Sequence, residues 1–210
     1  MIPTAPSNET WDASAPGSQC EEDEVLARLI PGDGAYVDIG AFHAEESSNT
    51  LSLYRRGWRG LLIDPLPMTW YGLMLHRPGD HVYPVACFNS DGTASFRVCE
   101  SVSTLRLDWP IQETDVIEVE TRKLSTIMAT FPEIRTRARL LSIDVEGCES
   151  QVLASNDWET FRPEVIVVEY RWYNADQPGV DISHEWDQIL LSNGYIKHHQ
   201  TTFNQIWVRG

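Results

Sequence analysis

Short apolar runs that close on an acidic residue recur along the chain: YVD ends at Asp38, LLID at Asp64, LLSID at Asp144 and VIVVE at Glu169. Such runs, bounded by Gly, Pro or acids, have the length and composition of buried strands, and the stretches between them space their apolar residues as helices do. The pattern predicts strands over 35–39, 60–64, 82–86, 139–145 and 164–169, and helices over 21–30, 47–56, 66–76, 123–130, 146–154 and 183–192. In the first helix Val25, Leu26, Leu29 and Ile30 share a face before Pro31-Gly32-Asp33-Gly34 ends it. In the last, Trp186, Ile189 and Leu190 share a face, Ser183 is the candidate N-cap and Gly194 follows the final turn. Two closing runs, 195–199 and 203–208, read as an antiparallel pair at a sheet edge, and ASFRV and VIEVE are strand-like segments around a polar loop. Strand and helix in alternation predict an α/β fold, with a mainly parallel sheet flanked by helices and a C-terminal antiparallel hairpin.

Residues 1–18, rich in Pro, Ser, Ala and Thr without periodicity, read as a flexible tail, leaving 19–210 as one domain. The first residues lack the basic and apolar regions of a secretory signal, and no apolar run reaches membrane-spanning length, so the expected location is cytoplasmic. Cys20, Cys87, Cys99 and Cys148 are scattered, without the paired spacing of a zinc site, and are expected as buried free thiols.

A formal net charge of -15 argues against nucleic acid and against an anionic membrane as partners. A small or neutral ligand is favoured instead. In open α/β sheets ligands bind beyond the carboxyl ends of the strands, near the point where strand order reverses, which gives the terminal acids a shared location. Gly40 and Ala41 let backbone approach a ligand after the first strand, and Asp64 stands where a carboxylate accepts hydrogen bonds from the hydroxyls of a ribose. A dinucleotide site needs three spaced glycines, whereas here Gly40 stands alone and Glu45 and Glu46 lie where phosphates would sit. S-adenosylmethionine, cationic at sulfur and free of phosphate, suits these acids.

The ordered segments SQCEEDEVLARLIPGDGAYVDIGAFHAEESSNTLSLYRRGWRGLLIDPLP, VACFNSDGTASFRV, LLSIDVEGCESQVL and RPEVIVVE resemble the FkbM family of S-adenosylmethionine-dependent methyltransferases, from about Ser18 to Glu169. The resemblance implies a class I methyltransferase (Rossmann-like) fold and O-methylation of a hydroxyl on a small acceptor such as a sugar, glycan or secondary metabolite. It also implies Asn49 at the amino acid end of the cofactor, Asp64 on the ribose and Val85, Ala86 and Cys87 beside the adenine, with Asp38, Gly40, Ala41 and Asp144 completing the cofactor set. Gln19 and Asp23 match an entry segment of the family. After D-I-G-A, where family members commonly carry Asn-Asp-Gly or His-His-Pro, this chain has Phe42-His43-Ala44. The rival reading is a non-catalytic binding or scaffold protein of the same fold.

Methyl transfer to a hydroxyl needs an aligned acceptor and a group to take its proton, and positioning contributes more than the base. Asp144 is the first candidate for base or hydroxyl clamp, Glu146 the second, and Glu169 a residue of the acceptor pocket. The three could alternatively gather a magnesium ion. Glu149, in the first turn of its helix, has a structural reading through the helix dipole, as His43 does by position. Trp58 and Trp207 are expected in the core, His198 and His199 on the hairpin surface, and Trp172 and Tyr173 on a loop where rings could stack on an acceptor.

Overall fold

The structure, a computed structural model, describes residues 17–99, 102–108, 111, 113–174 and 177–210, with the backbone alone at 172–174 and 177–179. The expected tail over 1–18 falls almost wholly outside them. Among the described residues twelve strands and seven α-helices follow in chain order: α1 Glu22–Leu29, β1 Ala35–Ile39, α2 Leu51–Arg55, β2 Leu61–Ile63, α3 Pro67–His76, β3 His81–Tyr83, β4 Ala86–Cys87, β5 Gly92–Val98, β6 Asp115–Arg122 and α4 Leu124–Thr130. Then come α5 Pro132–Arg137, β7 Ala138–Ile143, α6 Glu149–Ala154, β8 Val165–Glu169, β9 Arg171–Asn174, β10 Gln177–Asp181, α7 Asp187–Ser192, β11 Tyr195–Gln200 and β12 Asn204–Arg209.

The main sheet has seven strands in the order β3-β2-β1-β7-β8-β12-β11, parallel except for β12, which pairs antiparallel with both neighbours. This is the class I methyltransferase arrangement, and its strand order reverses between β1 and β7. Alternate strand residues feed two cores, as a strand's period of two requires. Val37, Ile63, Leu141 and Ile166 pack with Ile127, Val152 and Leu190 on one face. Tyr36, Leu62, Leu140 and Val167 pack with Leu26, Leu53 and Leu73 on the other. Trp58 and Trp207 are buried as expected.

Several elements differ from the sequence reading. The strand expected at 82–86 is two pieces, because Pro84 cannot donate to a ladder and Val85 N–H instead reaches back to Tyr83 O at 3.0 Å in a tight turn. β3 stays in the main sheet, while β4 joins β5 and β6 in a separate three-stranded sheet. ASFRV and VIEVE form its antiparallel pair. The helix expected from 146 begins only at Glu149, since Glu146 (φ 53°) and Gly147 (φ 92°) occupy left-handed backbone. Helix 47–56 shrinks to α2. Ser183 is no N-cap: it lies in a 3₁₀ turn, Ser183–Glu185, whose entry is held by the Asp181 carboxylate accepting Ser183 N–H at 2.9 Å. Trp172 and Tyr173 belong to strand β9, paired with β10, rather than to a loop; their side chains lie outside the described residues. Of the four free cysteines, Cys87 and Cys148 are buried and Cys20 and Cys99 are half-exposed.

Candidate active site

Sheet register sets the site. Ile39 pairs with Ile63 on one side and Ile143 on the other, and Ile143 pairs with Val168. The residues that follow, Gly40, Asp64, Asp144 and Glu169, therefore form a row across the carboxyl ends of four strands. At the centre Gly40 N–H donates to Ile63 O at 2.9 Å while Asp144 N–H donates to Ile39 O at 2.9 Å. Gly40 has φ +80°, and a Cβ there would lie 1.6 Å from the Asp144 carbonyl oxygen, so only glycine lets β1 turn between its neighbours.

Above this row opens a pocket of about 410 Å³, within the range of small-molecule sites. Asp38, Gly40, Ala41, Asn49, Asp64, Ala86, Cys87, Asp144, Glu146 and Glu169 all line it, so the candidate catalytic and cofactor residues face one cavity, whereas Asp23 of the entry segment does not line it. Gln19, His43 and Val85 line it too. Phe96, Val102, Ser103 and Leu105 form a wall, supplied by β5 and the segment after it, and Phe203 another; none of these was legible as a site residue, because each reaches the pocket by long-range packing. Six lining residues are acids, Asp38, Glu46, Asp64, Asp144, Glu146 and Glu169, and none is Lys or Arg.

Burial is the leading influence on the titration of Asp38, Asp64, Asp144 and Glu169. It pushes Asp64 up to about 7, against the N–H of Leu66, which donates to Oδ1 at 2.9 Å. Asp38, 6% exposed, is raised by burial, while the Thr50 hydroxyl, donating to Oδ2 at 2.6 Å, and the Arg77 charge pull it down. Asp144 and Glu169 are hydrogen-bonded to each other and both raised, first by burial. Glu169 is raised well above the usual carboxylate range, by burial first and then by the charges of Asp144, Glu146 and Glu149, so the pair favours a shared proton. Carboxyl oxygens of Asp144, Glu146 and Glu169 lie within 4.8 Å of one another.

The turn that carries these groups is tied down from three sides. Glu149, 1% exposed, accepts the N–H groups of Val145 at 3.1 Å and Gly147 at 3.2 Å, and burial raises it to about 7. The structural reading of Glu149 thus holds, through local hydrogen bonds. Thr104 Oγ1 donates to Glu146 O at 2.8 Å, and Arg106 Nη1 donates to Gly147 O at 3.1 Å. His43 is likewise structural in its contacts: its Nδ1 accepts Glu46 N–H at 2.8 Å. Asn49, buried, donates from Nδ2 to Ser142 Oγ at 3.2 Å, and Asp23 accepts Gly17 N–H at 2.9 Å at the start of α1. Burial pushes the Cys148 thiol up to about 12 and raises that of Cys87 too, so neither is a thiolate.

This lining suits S-adenosylmethionine. Acids without a facing cation repel phosphate, which disfavours dinucleotides, and attract a sulfonium and an ammonium. Apolar Leu66, Val85, Ala86 and Phe96 beside Asp64 offer a surface for a flat base.

None of the curated proteins matches this chain. Among solved structures it is similar to a TehB-like SAM-dependent methyltransferase from Corynebacterium glutamicum, at 11% identity and TM-score 0.48, covering 92% of this chain and 89% of that one. A precorrin-6y C5,15-methyltransferase from Geobacter metallireducens gives 11% identity and TM-score 0.47 over 90% and 88% of the two chains. The 1,6-didemethyltoxoflavin-N1-methyltransferase of Burkholderia thailandensis, solved with 1,6-didemethyltoxoflavin and S-adenosylhomocysteine, gives 10% and 0.45 over 90% and 75%. These likenesses are distant. The family model for the methyltransferase FkbM domain, by contrast, matches residues 38–197. Most of the chain, including the whole row of strand-end acids, lies within that match, and the protein belongs to the FkbM family of S-adenosylmethionine-dependent methyltransferases.

Proposed function

We propose that the protein is an O-methyltransferase acting on a hydroxyl of a small uncharged acceptor such as a sugar, a glycan unit or a secondary metabolite. When bound, S-adenosylmethionine supplies an electrophilic methyl carbon on its sulfonium, which the acceptor oxygen takes as the carbon–sulfur bond breaks. Asp64 holds the ribose hydroxyls, Ala86 and Cys87 flank the adenine, and Asp38, Gly40, Ala41 and Asn49 receive the amino acid end. Asp144 takes the proton of the acceptor hydroxyl, and Glu169, holding a proton of its own, keeps Asp144 ionised and aimed. Glu146 lines the acceptor side. The observation that carries this reading is the hydrogen-bonded Asp144–Glu169 carboxyl pair at the carboxyl ends of adjacent central strands, lining the pocket. The lack of any Lys or Arg among the described lining residues supports an acceptor without phosphate or carboxylate.

The test is transfer of a labelled methyl group to a panel of phenols, neutral sugars, amines and carboxylates. Label appearing on hydroxyl acceptors, and lost about 10²-fold or more in turnover with Asp144→Asn, supports the reading. Label on nitrogen or on carboxylates alone contradicts it, and no transfer to any acceptor favours a non-catalytic cofactor-binding protein. The 4.8 Å grouping of Asp144, Glu146 and Glu169 favours a second reading, in which a magnesium ion orients the acceptor. Turnover abolished by a chelator and restored by magnesium selects it.

A further inference from the structure

Behind the acid-lined wall stands a cation that does not touch the pocket. Arg77, 1% exposed just past the end of α3, finds an acceptor for each of its five N–H groups. Its Nε donates to Asp80 Oδ2 at 2.9 Å, Nη1 to Ala44 O at 3.1 Å and Ser48 Oγ at 3.5 Å, and Nη2 to Tyr36 Oη at 2.7 Å and Thr50 Oγ1 at 3.2 Å. A guanidinium only donates, so the Thr50 oxygen must accept from it, and its single proton is left for Asp38 Oδ2 at 2.6 Å. The Tyr36 hydroxyl is polarised the same way, accepting from Arg77 and donating to Asp80 at 2.6 Å.

We propose that Arg77, acting through the Thr50 hydroxyl, is a positioning residue for Asp38, holding that carboxylate and segment 44–50 in the arrangement that receives the ammonium-bearing amino acid end of the cofactor. The inference rests on the cofactor placement proposed above. An ion pair that served stability alone is complete with Asp80 and Tyr36; the branch through Ser48 and Thr50 leads to the pocket instead. It also solves an electrostatic problem. Asp38 is buried beside other acids, and a buried carboxylate without compensation takes up a proton. A cation in the lining would stabilise it but repel an ammonium. Arg77 supplies the charge from behind, through the Thr50 hydroxyl, which accepts from Nη2 at 3.2 Å and donates to Asp38 Oδ2 at 2.6 Å.

The experiment compares two compounds by calorimetric titration: S-adenosylhomocysteine, with adenosine and amino acid, and 5′-methylthioadenosine, with adenosine alone. Thr50→Val keeps the shape and removes the proton donor. It is expected to weaken S-adenosylhomocysteine binding about 10-fold or more while 5′-methylthioadenosine changes by less than about twofold. Thr50→Ser, which restores the hydroxyl, is expected within about threefold of wild type for both. Arg77→Lys, keeping charge but losing the fork, is expected to show the same selective loss. Unchanged binding of both compounds, or an equal loss of both, in either folded variant overturns the proposal. A wild-type protein that binds neither compound overturns the cofactor placement itself, and the proposal with it.

Discussion

Asp64 and Glu149 carry protons at pH values where exposed carboxyls are long ionised, because burial raises both to about 7. Their folded values lie above the ordinary 3.8 and 4.5, so the native state binds protons more tightly than the unfolded chain. The stability they contribute is full below about pH 4 and lost as pH rises through about 7. The protein without ligand is therefore expected to melt higher at pH 5 than at pH 8, a trend that Asp64→Asn should reduce. For a chain of this size a change of about 1 kcal/mol moves Tm by about 2–4 °C. A Tm that climbs steadily from pH 5 to pH 8 contradicts this. Glu149→Gln keeps an acceptor for the N–H groups of Val145 and Gly147 and should stay folded. Glu149→Ala orphans both and is expected to cost about 1–3 kcal/mol in urea unfolding. At this scale the sequence was half legible. Asp38, Asp64, Asp144 and Glu169 stood out because each closes an apolar run. The burial of Glu149 did not, since an acid in a first helical turn looks the same whether it caps from solvent or from the core. Arg77 was silent for a similar reason: its partners at 36, 44, 48, 50 and 80 are brought together only by the fold.

The strand ends and the turns beyond them decide which carboxyls face the pocket. Gly40→Ala sets a Cβ against the Asp144 carbonyl in a left-handed residue, so it must push β1 and β7 apart. We expect a loss of about 3 kcal/mol or more, or no folded protein, read by urea unfolding; a variant of wild-type stability means the two strands do not meet as described. The hook on the Glu146 turn should behave differently. Thr104→Val removes the hydroxyl that donates to Glu146 O, and turnover is expected to fall while S-adenosylhomocysteine affinity holds, since the proposed function puts this turn on the acceptor side. Equal losses in both would place Thr104 in the general fold instead. The central strands were legible because their apolar runs are continuous, as fully buried parallel strands are. The second sheet was not assigned, since β5 and β6 are exposed along much of their length and alternate weakly, and the two residues of β4 are too few to carry a period. The Glu146 turn hid inside an apparent helix because nothing local reveals a non-glycine residue at φ 53°.

For the molecule as a whole, strand order brings to one cavity acids that lie far apart in sequence, while a three-stranded sheet contributes the apolar wall facing them. Among the described residues no helix is long and apolar enough to cross a membrane. The alternation of strand and helix, the α/β class and the closing hairpin were all legible from periodicity, because they depend on local patterns that each segment carries by itself. What periodicity could not supply was depth: how far each carboxyl is buried and which partner stands behind it. The central proposal is that the row of strand-end acids is a site for S-adenosylmethionine with Asp64 at its ribose. Titration calorimetry of wild type and Asp64→Ala with S-adenosylhomocysteine, with NAD as the control, tests this directly. Wild type is expected to bind S-adenosylhomocysteine and not NAD, and Asp64→Ala, still folded, to bind it about 10-fold or more weakly. Binding of NAD in its place, or full affinity in Asp64→Ala, would contradict it.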